Sequence, residues 1–176
     1  VIEEVARLFP DKPIRYLINT HQHFDSIGGI RTYAHIGATI ITHAQNRAFY
    51  VRDVMNYTPR TISPDLVALM PPTELTEGYT YEFVKENYVV TDGQRILRIN
   101  YAQPFRPAEG MLIATLPAEG ILVEADLVST HEGLAPSDGA ALLKRLVGAL
   151  GYRVRTVVPI AGGPVSWETF LAGTGG

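Results

Sequence analysis

The sequence predicts a layered α/β fold of the α+β kind, built as one domain over residues 1–176. Three observations predict it. Short apolar runs alternate with helical patterns, Gly, Pro and Asp punctuate the junctions, and an apolar content of 46% is enough for a sizeable core.

The elements follow in order. Ile2, Val5, Ala6, Leu8 and Phe9 have helical spacing, so a helix is expected over Ile2–Phe9, ended by Pro10. Ile14–Ile18 is short, apolar and bounded by breakers, which predicts a buried strand with His21 just past its end. Gly28 and Gly29 open a second helix through Tyr33, Ala38–Thr42 is the next strand, and Ala44–Met55 is an amphipathic helix. From Asn56 to Gly78, Pro59, Pro64, Pro71 and Pro72 predict a long loop or lid with room for one brief helix at Asp65–Met70. Tyr79–Val90 and Arg95–Tyr101, either side of the Asp92-Gly93 turn signal, read as antiparallel strands, and Met111–Leu116 with Ile121–Glu124 reads as a hairpin. Ala140–Leu150 is a helix stopped by Gly151, Thr156–Ile160 is a strand, and the Gly-rich tail is expected to fray.

Composition excludes several classes of function. A formal charge of −3 supplies no broad positive field, so nucleic acid is not an expected partner. No apolar run approaches the ~20 residues that cross a bilayer, so no membrane span is expected. The chain has no cysteine, and any metal must therefore be held by His, Asp or Glu. It opens on Val1 directly into a helical pattern, which suggests upstream sequence; a targeting segment could have preceded it, so the expected location is cytoplasmic or unknown.

The chemistry concentrates in His21-Gln22-His23-Phe24-Asp25-Ser26-Ile27-Gly28-Gly29, a loop between a buried strand and a helix. At i and i+2 on a loop fixed at a strand end, His21 and His23 can turn both imidazoles to one side, and Asp25 adds a hard oxygen donor nearby. The alternative is two surface histidines with Asp25 capping the helix. Elsewhere, His43 before a helix fits a hydrogen-bonded structural role, His131 an exposed loop and His35 a contact with a helix C-terminus. Gly28-Gly29 and Gly162-Gly163 lack the spacing of a phosphate loop, and Ser129, Ser137 and Ser166 lack a nucleophile-elbow context.

The run Asn19–Gly29 resembles the HxHxDH metal motif of the metallo-β-lactamase superfamily. Ile121-Leu122-Val123-Glu124-Ala125-Asp126-Leu127-Val128 resembles the strand that ends in that family's metal-bridging Asp. Val157-Val158-Pro159-Ile160-Ala161-Gly162-Gly163-Pro164-Val165 resembles the strand and loop that present its last His. The resemblance spans Ile14 to about Phe170 and implies a metallo-β-lactamase-like αβ/βα sandwich, incomplete at the N-terminal side. It assigns His21 and His23 to the first metal position, Asp25 to the second and Asp126 to the bridge.

The departures from the motif are specific. Ser26 stands where the motif's final His falls, Ala161 stands at the last His, and no His occurs in Gln103–Gly110. Glu109 in that last segment is a candidate oxygen donor, with an exposed loop carboxylate as the favoured alternative. The expected site is therefore impaired: one Zn²⁺, with Fe²⁺ or Mn²⁺ as alternatives, or no ion at all. The resemblance implies a hydrolase in which metal-activated water attacks an ester, amide or phosphoester, with Asp25 orienting that water and activity weakened by three lost imidazoles. Two other readings stay open: a catalytically silent relative kept for binding or assembly, and a mononuclear iron oxidoreductase. Tyr57, Tyr79 and Phe105 are candidate lining for a small-molecule pocket. An incomplete sandwich would expose sheet face and strand edges, so a homo-oligomer or a covering partner chain is expected.

Overall fold

The computed structural model describes residues 1–55, 67, 79–102, 108–131 and 133–175. The expected lid over 56–78, its brief helix, and the pocket residues Tyr57 and Phe105 lie outside the described residues, apart from the isolated Val67. The chain divides into two compact units, Val1–Phe83 and Val84–Gly176.

The first unit begins with α1 (Ile2–Leu8), where Glu3 and Glu4 in the first turn and Arg7 in the last suit the helix dipole. β1 (Tyr16–Ile18) leads through α2 (Phe24–Ile27) and α3 (Ile30–His35) to β2 (Thr39–His43). β1 and β2 are parallel, in the register Tyr16↔Thr39 to Ile18↔Ile41, as a strand, helix, strand crossover requires. β3 (Tyr81–Val84) completes a sheet of order β1-β2-β3. Ile30 and Ala34 on α3 pack with Ile40 on β2 and with Tyr50, Val54 and Met55. The glycine pair opens α3 as expected, with Gly29 as its N-cap, and a second short helix, Phe24–Ile27, lies before it where a loop was expected. One expectation changes here. Ala44–Met55 is not one regular helix: a 3₁₀ turn (Ala44–Asn46), one α turn, α4 (Arg47–Phe49), and a π turn (Tyr50–Val54) follow one another. The π turn buries Tyr50 and Val54, four residues apart, so the apolar face expected of the helix is kept although its hydrogen bonding is not regular.

The second unit is a six-stranded sheet of order β4-β5-β6-β7-β8-β9, formed by Asn87–Thr91, Ile96–Tyr101, Leu112–Leu116, Ile121–Glu124, Thr156–Pro159 and Val165–Ser166. The run expected as one strand over Tyr79–Val90 breaks at Lys85-Glu86, and its halves, β3 and β4, join different sheets. The β6–β7 hairpin forms as expected, in the register Ala114↔Val123 to Leu116↔Ile121. β7 and β8 are parallel and need a crossover, supplied by α5 (Asp138–Leu150). Ser137 caps that helix, its Oγ accepting from the Ala140 N–H at 3.1 Å. The apolar stripe of α5, Leu142, Leu143, Leu146 and Val147, packs on Met111, Ile113, Leu122 and Val157. The tail does not fray up to Gly175: α6 (Trp167–Gly173) is capped by Ser166, whose Oγ accepts from the Thr169 N–H at 3.0 Å, and Phe170 is fully buried. The sequence carried that signal, a Ser before an apolar pattern with Glu168 in the first turn, beneath the glycines. Among the described residues, no helix is long and apolar enough to cross a membrane.

Candidate metal centre

In the first unit, β1 ends where the Asn19 N–H donates to the Ile41 carbonyl at 2.9 Å, and the chain then leaves the sheet. His21 follows and is fully buried. Thr20 Oγ1 lies 2.9 Å from its Nδ1, and Ser26 Oγ lies 3.4 Å from its Nε2. His23 is half-buried and takes an extended backbone (φ −68, ψ 148) as the N-cap residue of α2. The two imidazoles meet edge to face, with ring centres 4.6 Å apart and planes at 84°. Two nitrogen donors on one side of one loop are what a borderline divalent cation takes from a cysteine-free chain, so the donor set fits such an ion. Asp25 sits in the first turn of α2 with its side chain exposed; no side-chain cap bond is made there, so the alternative of Asp25 as a helix cap is not what forms.

In the second unit, Asp126 follows β7 and is exposed, with φ +63. It is the one non-glycine among the described residues in the left-handed region, where Asp is better tolerated than most residues but still strained. Just before it, Glu124 is fully buried: its Oε2 accepts from the N–H groups of Leu127 at 2.9 Å and Val128 at 3.3 Å. Burial pushes its carboxyl up to about 7, the two N–H bonds oppose this, and the Asp126 charge adds to it. Beyond β8, Ala161 lies on a loop tied to the Asp126 loop by Thr130. The Thr130 N–H donates to the Ala161 carbonyl at 3.1 Å, and Thr130 Oγ1 accepts from the Gly163 N–H at 2.8 Å and donates to the Gly163 carbonyl at 3.0 Å. Gly162 between them has φ +117, and a Cβ there would run into Thr130 Oγ1.

The other histidines take the structural roles expected of them. His43 is 6% exposed and its Nδ1 accepts from the Gln45 N–H at 3.2 Å, while His35 is exposed in the last turn of α3 and His131 is exposed on its loop. Glu109 is exposed. Sequence reasoning missed Asn19, Tyr50 and Thr130, whose polar contacts lie 7, 31 and 33 residues away along the chain, beyond any local spacing rule.

The chain belongs to the metallo-β-lactamase superfamily, whose family model, described as Metallo-beta-lactamase superfamily, matches residues 2–143. Its mixed α/β fold recurs in solved structures. A metallo-beta-lactamase from Pontibacter korlensis is 15% identical, with a TM-score of 0.66 over 96% of this chain and 71% of that one. An archaeal metallo-beta-lactamase superfamily protein from Sulfolobus tokodaii is 17% identical, with a TM-score of 0.59 over 92% and 66%. Rubredoxin oxygen:oxidoreductase from Desulfovibrio gigas is 13% identical, with a TM-score of 0.63 over 93% of this chain and 42% of that one. The fold is therefore shared by proteins named as lactamases and by one named as an oxidoreductase, and it does not select between them. Among curated proteins, no sequence match is found.

Proposed function

We propose that the chain is a metal-dependent hydrolase with a depleted site, in which His21 and His23, joined by Asp126 and aided by Asp25, hold a single divalent cation. The observation that supports this reading most directly is the edge-to-face pairing of the His21 and His23 rings at 4.6 Å, just past the end of β1 in a chain of this family. When bound, such an ion supplies Lewis acidity and brings the pKa of its water toward neutrality. The chain's own residues supply the rest. Buried His21 has a hydroxyl beside each ring nitrogen, which limits the ring orientations open to it. The exposed carboxylate of Asp25, on the next turn, orients the attacking water and accepts its proton. The substrate class is an ester, amide or phosphoester. Turnover should be slow, because Ser26 and Ala161 offer no imidazole and a second ion would keep only carboxylates.

Elemental analysis of protein purified without chelator tests this directly. Close to one ion per chain is expected, Zn²⁺ ahead of Fe²⁺ or Mn²⁺; less than about a tenth of an ion would overturn the proposal, since a working site depends on its metal. A second reading, a silent relative retained for binding or assembly, is favoured by Ser26 Oγ standing 3.4 Å from His21 Nε2, at the motif position where an imidazole is lost. Metal-free protein with no esterase activity would support it. Two imidazoles and a carboxylate also suit non-haem iron, and iron-dependent oxygen consumption would turn the assignment toward an oxidoreductase.

A further inference from the structure

A buried polar chain anchors the His21–Ser26 segment within the first unit, and the hydrolytic reading makes no use of it. Asn19 is 4% exposed; its Nδ2 donates to the Ser26 carbonyl at 2.8 Å, and its Oδ1 accepts from the Tyr50 hydroxyl. Tyr50 is fully buried in the π turn, and its own carbonyl accepts from the Tyr81 hydroxyl at 3.4 Å. Burial pushes the Tyr50 hydroxyl up to about 12, so it remains a donor across the working pH range. The chain of bonds thus runs from β3 through the π turn and the end of β1 into α2. Four residues of helix cannot sustain themselves, because one turn fixes more dihedrals than its bonds repay. The two amide bonds of α2, from Ser26 N at 3.0 Å and Ile27 N at 3.1 Å to the His23 carbonyl, therefore need outside support. The Asn19 amide supplies it at the residue whose hydroxyl faces His21 Nε2.

We propose that Asn19 and Tyr50 are positioning residues: the Tyr50 hydroxyl fixes the Asn19 amide, and that amide holds the His21–Ser26 segment in the shape a metal requires. The inference deepens the metal-site reading and rests on it for its purpose, although the clamp itself is observable in metal-free protein. Three variants test it. Tyr50→Phe removes the hydroxyl and keeps the buried ring, Asn19→Asp keeps an acceptor for Tyr50 and loses the donor to Ser26, and Asn19→Ala removes both. In chelator-treated protein, hydrogen exchange at the Ser26 and Ile27 amides should quicken by at least about tenfold in both Asn19 variants and by less in Tyr50→Phe. Zn²⁺ affinity, read by competition with a chromophoric chelator, should fall about 10–100-fold, the usual effect of removing a group that orients a ligand. Ile40→Val, a core change on β2, should leave both readings at wild-type values. Unchanged exchange in folded Asn19→Asp and Tyr50→Phe overturns the inference, as does an equal loss of affinity in Ile40→Val. If the wild type takes up no Zn²⁺, the metal-site reading falls, and the exchange rates alone then decide whether the clamp exists.

Discussion

Glu124→Gln should shift stability in the variant's favour as pH rises from acidic to alkaline. In the folded chain Glu124 is fully buried, Oε2 accepts two backbone N–H groups, and Oε1 has no hydrogen-bond partner among the described residues. Burial raises the carboxyl from 4.5 to about 7. Between those two values the folded state holds a proton that the unfolded state has released, so stability falls as pH rises through this window and the whole penalty is present above pH 7. A displacement of that size corresponds to roughly 3 kcal/mol. Glutamine keeps an oxygen for Leu127 and Val128 and carries no charge at any pH. Its amide replaces a hydroxyl that also lacks an acceptor, so a pH-independent cost of about 1–3 kcal/mol can accompany the change. The test is accordingly the difference between two conditions: urea unfolding of chelator-treated wild type and variant at pH 5 and pH 8. The gain of the variant over wild type should be larger at pH 8 by about 2–3 kcal/mol. An equal difference at both values would refute the argument, because burial would then not be what holds the proton.

Other substitutions probe the loops. Gly162→Ala places a methyl against Thr130 Oγ1 at φ +117 and should cost more than about 2 kcal/mol by thermal or urea unfolding; a neutral result would mean that the Thr130 tie is not kept in solution. Asp126→Asn should leave folding nearly unchanged, since Asn also tolerates the left-handed region, while Zn²⁺ affinity falls at least about tenfold; unchanged affinity would remove Asp126 from the ligand set. The double variant Ser26→His with Ala161→His should bind more than one zinc per chain and raise esterase activity, and no rise in either would count against the proposed depleted site.

Much of the fold was legible because it rests on local patterns. The β6–β7 hairpin, the α5 stripe and the presence of a strand before His21 follow from periodicity and breakers within a few residues, although that strand is shorter than Ile14–Ile18 and half-exposed where a buried one was expected. The departures have physical causes that single-element reading does not hold. Lys85-Glu86 interrupts an apolar run without a Gly or Pro, so the change of sheet was invisible. The change from α to π hydrogen bonding at Tyr50 has no local signal, and Tyr50 bonds to Asn19, 31 residues away. The tail was misjudged because its glycines outweighed a good cap at Ser166. At the candidate site, the His21 and His23 pairing followed from the i, i+2 spacing on a loop, whereas the buried carboxyl of Glu124 had no sequence signature: an alternating strand ending in Glu reads equally well with that residue exposed.

The second unit also shows how the loop that carries Ala161 keeps its shape. If the Ala161 loop depended on a bound metal for its conformation, Ala161 would leave Pro159–Pro164 without a tether. Instead Thr130 bonds both backbone groups of Gly163 and the carbonyl of Ala161, and Gly162 takes a φ that only glycine adopts cheaply, which brings the two loops into contact. The loop is thus held by backbone and one hydroxyl, independently of any imidazole. A histidine restored at position 161 would enter a conformation already built, so the cost of ordering that otherwise weakens an engineered ligand is largely met in advance. The same reasoning separates the two loops: the Ala161 loop should keep its hydrogen-exchange protection in chelator-treated protein whatever becomes of the metal, whereas α2 should keep its own only while Asn19 can donate to Ser26.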